Sequence, residues 1–369
     1  MQLDFITPDH PRWLTLLATD RHDIYQLPGY LNLEAQRTHA QPEGAIITAG
    51  DRQLFVPYLQ RQGDDGAPPA AALAPVTDVV SPYGYPGMLA NEAARHQPAF
   101  ITAALRCLQA EWQQRGICSA FLRLHPILNG GWPLGFTEAE YCFQGQTVSV
   151  DLTLPEAEMW RHISRERRNR INRAQREQLT ARMVPWHTAL TTFVEIYAET
   201  MGRVAAASRY LEFDAAYFTQ LGEVLGDRLH LCLVELGNEV VAAGLYTEWD
   251  GIVQAIFGGT RTAFIKLSPS TLETYVVMQW AKARGHQFLH LGGGVGATED
   301  SLFRYKAGFS QMRHAFYTLR LITDPPRYEA LVQQRAHALG VPTATLYESG
   351  YFPAYRAPVG MIAAIDHKN

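Results

Sequence analysis

The chain has 369 residues, 47 % of them hydrophobic and 18 % charged, with a formal net charge of −4. That size and balance fit two globular domains, exclude a disordered chain, and exclude a whole-protein positive field for nucleic acid or anionic membrane. Cys107, Cys118, Cys142 and Cys232 are scattered, with no C-x-x-C pair, which does not suggest a disulfide framework and suits a reducing compartment.

The opening MQLDFITPDHPRW carries no basic region followed by an apolar run, and no stretch approaches the roughly 18 apolar residues of a membrane span, so a cytoplasmic location is expected. Residues 43–60 read as two strands around an Ala-Gly-Asp turn, and 62–69 as a Gly/Asp/Pro loop. The rigid DVVSPYGYPG follows at 78–87. Phe100, Ala103, Ala104, Cys107, Leu108 and Trp112 recur at helical spacing, with a stop at Arg115-Gly116, and 117–124 reads as a buried strand. In the second half, 229–235 and 240–249 read as strands. Asp250-Gly251 is a two-residue hairpin signal leading into a strand at 252–257. Ser268-Pro269-Ser270-Thr271 predicts a helix start, with a hydroxyl serving the free N–H groups of the first turn. That helix stops at Arg284-Gly285. A strand at 288–291, a glycine run, a short helix near 301–307 and a last strand at 314–322 complete the order.

The two halves share a pattern: hairpin, Ser-Pro loop, helix with a late Trp, Arg-Gly stop, short strand. Ser81-Pro82 pairs with Ser268-Pro269, Trp112 with Trp280, and Arg115-Gly116 with Arg284-Gly285. A duplicated α/β domain is expected, with a boundary near 151–155. Between the halves, 156–178 predicts one helix with a thin apolar stripe and seven arginines, Arg161, Arg165, Arg167, Arg168, Arg170, Arg173 and Arg176. In a chain of this net charge the cluster is the outlier. Its planar forks suit phosphate, although a solvated inter-domain helix produces the same composition.

Strands that end in glycines before a helix collect free N–H groups, which suits an anion or a developing oxyanion. Two places have this pattern, Gly258-Gly259 leading toward Ser270 and Gly292–Gly296 leading toward Ser301. Neither is a Walker loop or a dinucleotide fingerprint, and the second reads better as glycines opening a crevice beside splayed strands. Lys306, at the end of that crevice, can hold charge developing on a carbonyl oxygen, and Tyr305 can donate a proton. His286 and His290 share a strand face without a third ligand, so no metal site is expected. His125 reads as a capping or packed residue. The aromatic stretch 347–358 is expected to dock back onto the body.

The order strand, Ser-Pro-helix, strand, short helix with Tyr305-Lys306-Ala307-Gly308-Phe309, strand resembles the acyl-donor half of the GNAT acyltransferase fold. More narrowly, it resembles the Fem family of aminoacyltransferases, whose late motif is aromatic-Lys-x-x-Phe-Gly. Here Ser310 stands for the Gly, and Tyr for the commoner Phe. The resemblance covers 148–322 and, more weakly, 43–146. It implies an α/β fold of two tandem GNAT-like domains, each a mixed twisted sheet flanked by helices. These would be 1–150 on the acceptor side and 151–325 with the donor site and the Arg-rich helix, and 326–369 would dock on the body. It implies that Lys306 stabilises the reacting carbonyl, with Tyr305 beside it. Arg203, Tyr210, Tyr83 and Tyr85 would hold the acceptor. The loop around Ser268, Ser270 and Thr271 would face the donor, together with Arg167, Arg168, Arg170 and Arg173. The expected reaction is transfer of an aminoacyl group from aminoacyl-tRNA to the amine of a small-molecule or precursor acceptor, without metal or redox cofactor. Acyl-CoA is the alternative donor, although the usual pyrophosphate-binding signature is absent from 260–270. A catalytically silent GNAT pair that acts as a binding module is the third reading.

Overall fold

A computed structural model describes residues 1–63, 76–204 and 213–366. Tyr210 and most of the 62–69 loop lie outside the described residues. In chain order the strands are β1 (Gln2–Ile6), β2 (Gln41–Ala49), β3 (Arg52–Gln62), β4 (Thr77–Val80), β5 (Leu89–Ala90), β6 (Ile117–Arg123), β7 (Tyr141–Asp151), β8 (Leu179–Pro185), β9 (Leu229–Leu236), β10 (Glu239–Trp249), β11 (Ile252–Thr260), β12 (Phe288–Gly292) and β13 (Arg313–Ile322). They divide between two compact units. The first comprises Met1–Arg21, Glu34–Phe143 and Tyr317–Asn369, and the second His22–Leu33 and Gln144–Phe316.

Each unit repeats one strand plan. In the first the order is β1-β2-β3-β4-β6-β13, antiparallel throughout except for the parallel pair β4 and β6. In the second it is β8-β9-β10-β11-β12-β7, with the parallel pair β11 and β12 in the corresponding place. A parallel pair needs a crossover, and each unit has one: helix Pro98–Gln114 in the first, helix Pro269–Ala283 in the second. The sixth strands are exchanged along the chain. β7 follows β6 in sequence but pairs with β12, and the latter part of β13 follows β12 but pairs with β6. For that reason the second unit takes up the chain at Gln144, and the first recovers the C-terminal segment.

Local chemistry accounts for the elements. Asp250 and Gly251 both take positive φ, 41° and 82°, as the tight turn between β10 and β11 requires. Helix Pro98–Gln114 buries Phe100, Ala104, Leu108 and Trp112 against β2, β3 and β6. The expected single Arg-rich helix is two, Glu156–His162 and Arg165–Arg176. The chain breaks at Ile163, which is extended and buried, and restarts at Ser164, whose hydroxyl accepts from the Arg167 N–H. In the first unit the C-terminal segment packs Tyr328, Leu331, Tyr355 and Ile362 on Val76 and Cys118. Asp78, fully buried, receives Arg61, Arg356 and the Tyr355 hydroxyl.

Candidate active site

In the second unit β11 and β12 pair only at Ile252–Phe288, Val253–Leu289 and Gln254–His290. Beyond that point β11 runs on to Thr260 while β12 ends at Gly292, so the strands part. Ala255–Phe257 are half-buried and Gly258 is exposed along the opening. Gly258-Gly259 is therefore strand rather than an anion loop. Gly259 serves packing, since a Cβ there would lie 2.8 Å from both Ile196 O and Thr200 Oγ1 of helix Leu190–Arg203. Nor do the glycines after β12 cradle an external anion. Asp300 already supplies the negative charge: its carboxylate accepts from Phe303 N at 2.8 Å and Val295 N at 3.2 Å. Gly294 makes room for it, because a Cβ would meet Asp300 Oδ1 at 2.4 Å.

Lys306 lies on helix Ser301–Ala307 and donates from Nζ to Gly293 O at 2.6 Å. Burial pulls its pKa down to about 8 against the opposing pull of Asp300. The ammonium is thus held at the run of chain that leaves β12 as the strands diverge. Tyr305 points the other way. Its hydroxyl donates to Ser270 O at 2.8 Å and sits 3.0 Å from Thr274 Oγ1, and burial raises its pKa to about 12. Those bonds make Tyr305 a tie between the short helix and the first turn of Pro269–Ala283.

Several residues expected to face a donor converge here. Arg167 lies over the Tyr305 ring at 4.7 Å, with its stem across Gly308, where a Cβ would meet Arg167 Cγ at 2.8 Å. Arg170 donates to Ser268 Oγ at 3.2 Å and pairs with Glu166 at 2.7 Å. Ser268 is not the side-chain cap expected of it. Its φ is +55° and its hydroxyl serves Arg170 instead, while Ser268 O accepts from Thr271 N at 3.0 Å. Thr271 is buried at 1 % exposure. Arg168 turns back to Trp160 O and Arg161 O, and Arg173 lies exposed 3.9 Å from Glu177.

Arg203 donates to Thr260 O at 3.0 Å and Thr262 Oγ1 at 2.9 Å, clasping the end of β11. Tyr83 and Tyr85 belong to the first unit, half-buried in a loop tied by Glu34 accepting from Tyr83 N at 3.0 Å and by Arg123 donating to Pro82 O at 3.0 Å. His125 caps its own loop, its Nδ1 accepting from Ile127 N and Leu128 N at 3.1 Å.

Sequence reasoning missed two buried groups. Glu273 accepts from the Tyr246 hydroxyl at 2.7 Å, and burial raises its pKa to about 8. Gly244 makes its space, since a Cβ there would come within 2.0 Å of Oε1. His290, set aside for lack of metal partners, hydrogen-bonds through Nδ1 to Gln254 Oε1 at 2.6 Å, and Gln254 Nε2 donates to Asp23 Oδ2 at 2.7 Å. All three are at most 1 % exposed. A single polar residue inside each of two otherwise apolar, glycine-ended strands, Gln254 and His290, was the available signal; Asp23 had none.

Residues 161–307 match the family model described as an acetyltransferase (GNAT) domain. The structure of FemX is similar over 89 % of this chain and 99 % of its own, with a TM-score of 0.65 at 13 % identity. A conserved protein of unknown function from Bacteroides thetaiotaomicron aligns over 87 % and 100 %, with a TM-score of 0.52 at 12 % identity. The C-terminal domain of a putative lysylphosphatidylglycerol synthetase from Agrobacterium fabrum aligns over 84 % and 90 %, with a TM-score of 0.50 at 11 % identity. No curated protein matches the sequence. The fold is the one shared with FemX, two GNAT-like units in tandem, and 161–307 is the part that matches the GNAT domain model. Among the described residues no helix is long and apolar enough to cross a membrane.

Proposed function

We propose that this GNAT-fold acyltransferase forms amide bonds by moving an aminoacyl group from aminoacyl-tRNA to the amine of a small-molecule or precursor acceptor. The observation that carries the reading is the parting of β11 and β12 with the Lys306 ammonium held at its edge. An ester carbonyl placed between the strands would meet that charge as a neutral amine adds to it. The tetrahedral oxyanion is stabilised, the C–N bond is kept, and the bond from the acyl carbon to the ribose oxygen breaks.

Support for a tRNA donor comes from helix Arg165–Arg176. It anchors through Arg167 and Arg170 at the same corner and leaves Arg165, Arg173 and Arg176 exposed to meet phosphates. The Fem-like sequence motif and the fold shared with FemX point the same way. Tyr305 then acts by placing the helices rather than by giving up its proton, and the departing ribose oxygen takes up the proton that the attacking amine loses. Arg203 remains the acceptor-side residue of this reading within the second unit.

The donor is tested by incubating the purified protein with labelled amino acids, ATP, synthetases, tRNA and a small-molecule extract. Product that disappears on RNase treatment is expected. Product that survives RNase and needs acyl-CoA overturns the tRNA assignment, and no product from either donor favours a binding module.

A further inference from the structure

Across the second unit's sheet, four polar side chains stand in one row on one face: Thr247 opposite Gln254, Gln254 opposite His290, and His290 opposite Ser149. Each is at most 1 % exposed. The row crosses the place where β11 and β12 part, since Gln254–His290 is their last pair. Thr247 Oγ1 and Ser149 Oγ are buried with no hydrogen-bond partner among the described residues. Buried hydroxyls without partners are costly, and their presence at both flanks of a hydrogen-bonded series points to a guest group or water within reach.

The hydrogen bonds fix the chemistry of the histidine. The Asp23 carboxylate can only accept, so it takes the Gln254 N–H₂ and fixes which end of that amide is oxygen. Gln254 Oε1 is then turned to His290 Nδ1, which must be the protonated nitrogen. In the neutral ring that leaves Nε2 as the base. Asp23 is itself held, since its side chain caps the turn Ile24–Gln26 and accepts from Ile24 N at 2.7 Å. His314 is the other titratable ring at hand, 6.3 Å from His290 between centroids. His290 also lies three residues before Gly293, whose carbonyl holds Lys306, so the backbone positions that carry base and cation are at most about 10 Å apart.

We infer that His290 is the general base of the transfer, with Gln254 and Asp23 as positioning residues; this rests on the acyltransfer reading above. As the amine nitrogen bonds to the acyl carbon it becomes ammonium. His290 Nε2 takes that proton, and Asp23, one amide away, offsets the imidazolium charge. The leaving oxygen departs when the C–O bond breaks and receives the proton back.

Two measurements test the assignment. ¹⁵N spectra of histidine-labelled protein should show His290 as the Nδ1–H tautomer, the minor form of free histidine, and Gln254→Met should lose it. The Nε2–H tautomer in the wild type would overturn the relay, whatever the activity. With charged tRNA or acetyl-CoA as donor and glycinamide as acceptor, His290→Gln should lower kcat by roughly 10²–10⁴-fold with KM for the donor little changed. Added imidazole should restore part of the rate to His290→Ala, a rescue that a purely structural loss would not show. Wild-type kcat in His290→Gln overturns this inference alone. No product from wild-type protein with either donor overturns the transferase reading on which it stands.

Discussion

Lys306 carries its charge at a cost, because burial draws its pKa down to about 8. The charge is present below that pH and lost above it, so the transfer rate should fall on the alkaline side with a midpoint near 8 in a kcat–pH profile. Lys306→Arg, if it folds, should remove that limb, since a guanidinium does not titrate there. Glu273 is the opposite case. Its folded pKa, raised to about 8, lies above its unfolded value, so the folded state keeps a proton that the unfolded chain releases. Stability from this group is therefore present at low pH and drains away as pH rises toward 8. Glu273→Gln keeps an acceptor for Tyr246 and removes the ionisation. Thermal melts should show it more stable than wild type at pH 8 and nearly equal at pH 5. Neither group announced its environment in the sequence. Lys306 was legible only through the motif it sits in, and Glu273 looks like any helix glutamate until Gly244 and Tyr246 are folded around it.

At the scale of elements, hairpins and helix stops were readable because the responsible residues are adjacent. Asp250-Gly251 must take positive φ wherever it lies, and the Arg-Gly stops act within one turn. The crevice was half-readable: glycines signalled it, but not that Asp300 would occupy the helix end and exclude a phosphate. The break at Ser164 went unread because Ile163 extends to reach a core formed elsewhere. The relay was invisible for the same reason, since Asp23 and Gln254 are 231 residues apart. Helix Arg165–Arg176 carries its own prediction. Arg173→Glu with Arg176→Glu should raise KM for charged tRNA while leaving kcat within about twofold. The salt dependence of binding should flatten by roughly one logarithmic step for each phosphate the helix no longer neutralises. Filter binding at several salt concentrations measures it; an unchanged slope would remove this helix from the donor site.

For the whole molecule, the duplicated strand plan was legible as repeated punctuation, but the exchange of sixth strands was not, because pairing between distant segments leaves no local mark. The exchange returns the C-terminal segment to the first unit, where Asp78 fixes it through Arg356 and Tyr355. Asp78→Ala leaves two arginines facing a buried gap, Arg61 and Arg356, and should cost about 3–5 kcal/mol. Limited proteolysis should then cut after Ile322 at protease levels that spare the wild type. In the second unit, the diverging strands and Lys306 are the proposed transfer site. Its most direct test is single-turnover product formation by Lys306→Met, folded by circular dichroism, with charged tRNA as donor. A loss of about 10²–10³-fold in rate with donor binding retained is predicted. Transfer at the wild-type rate would contradict the account.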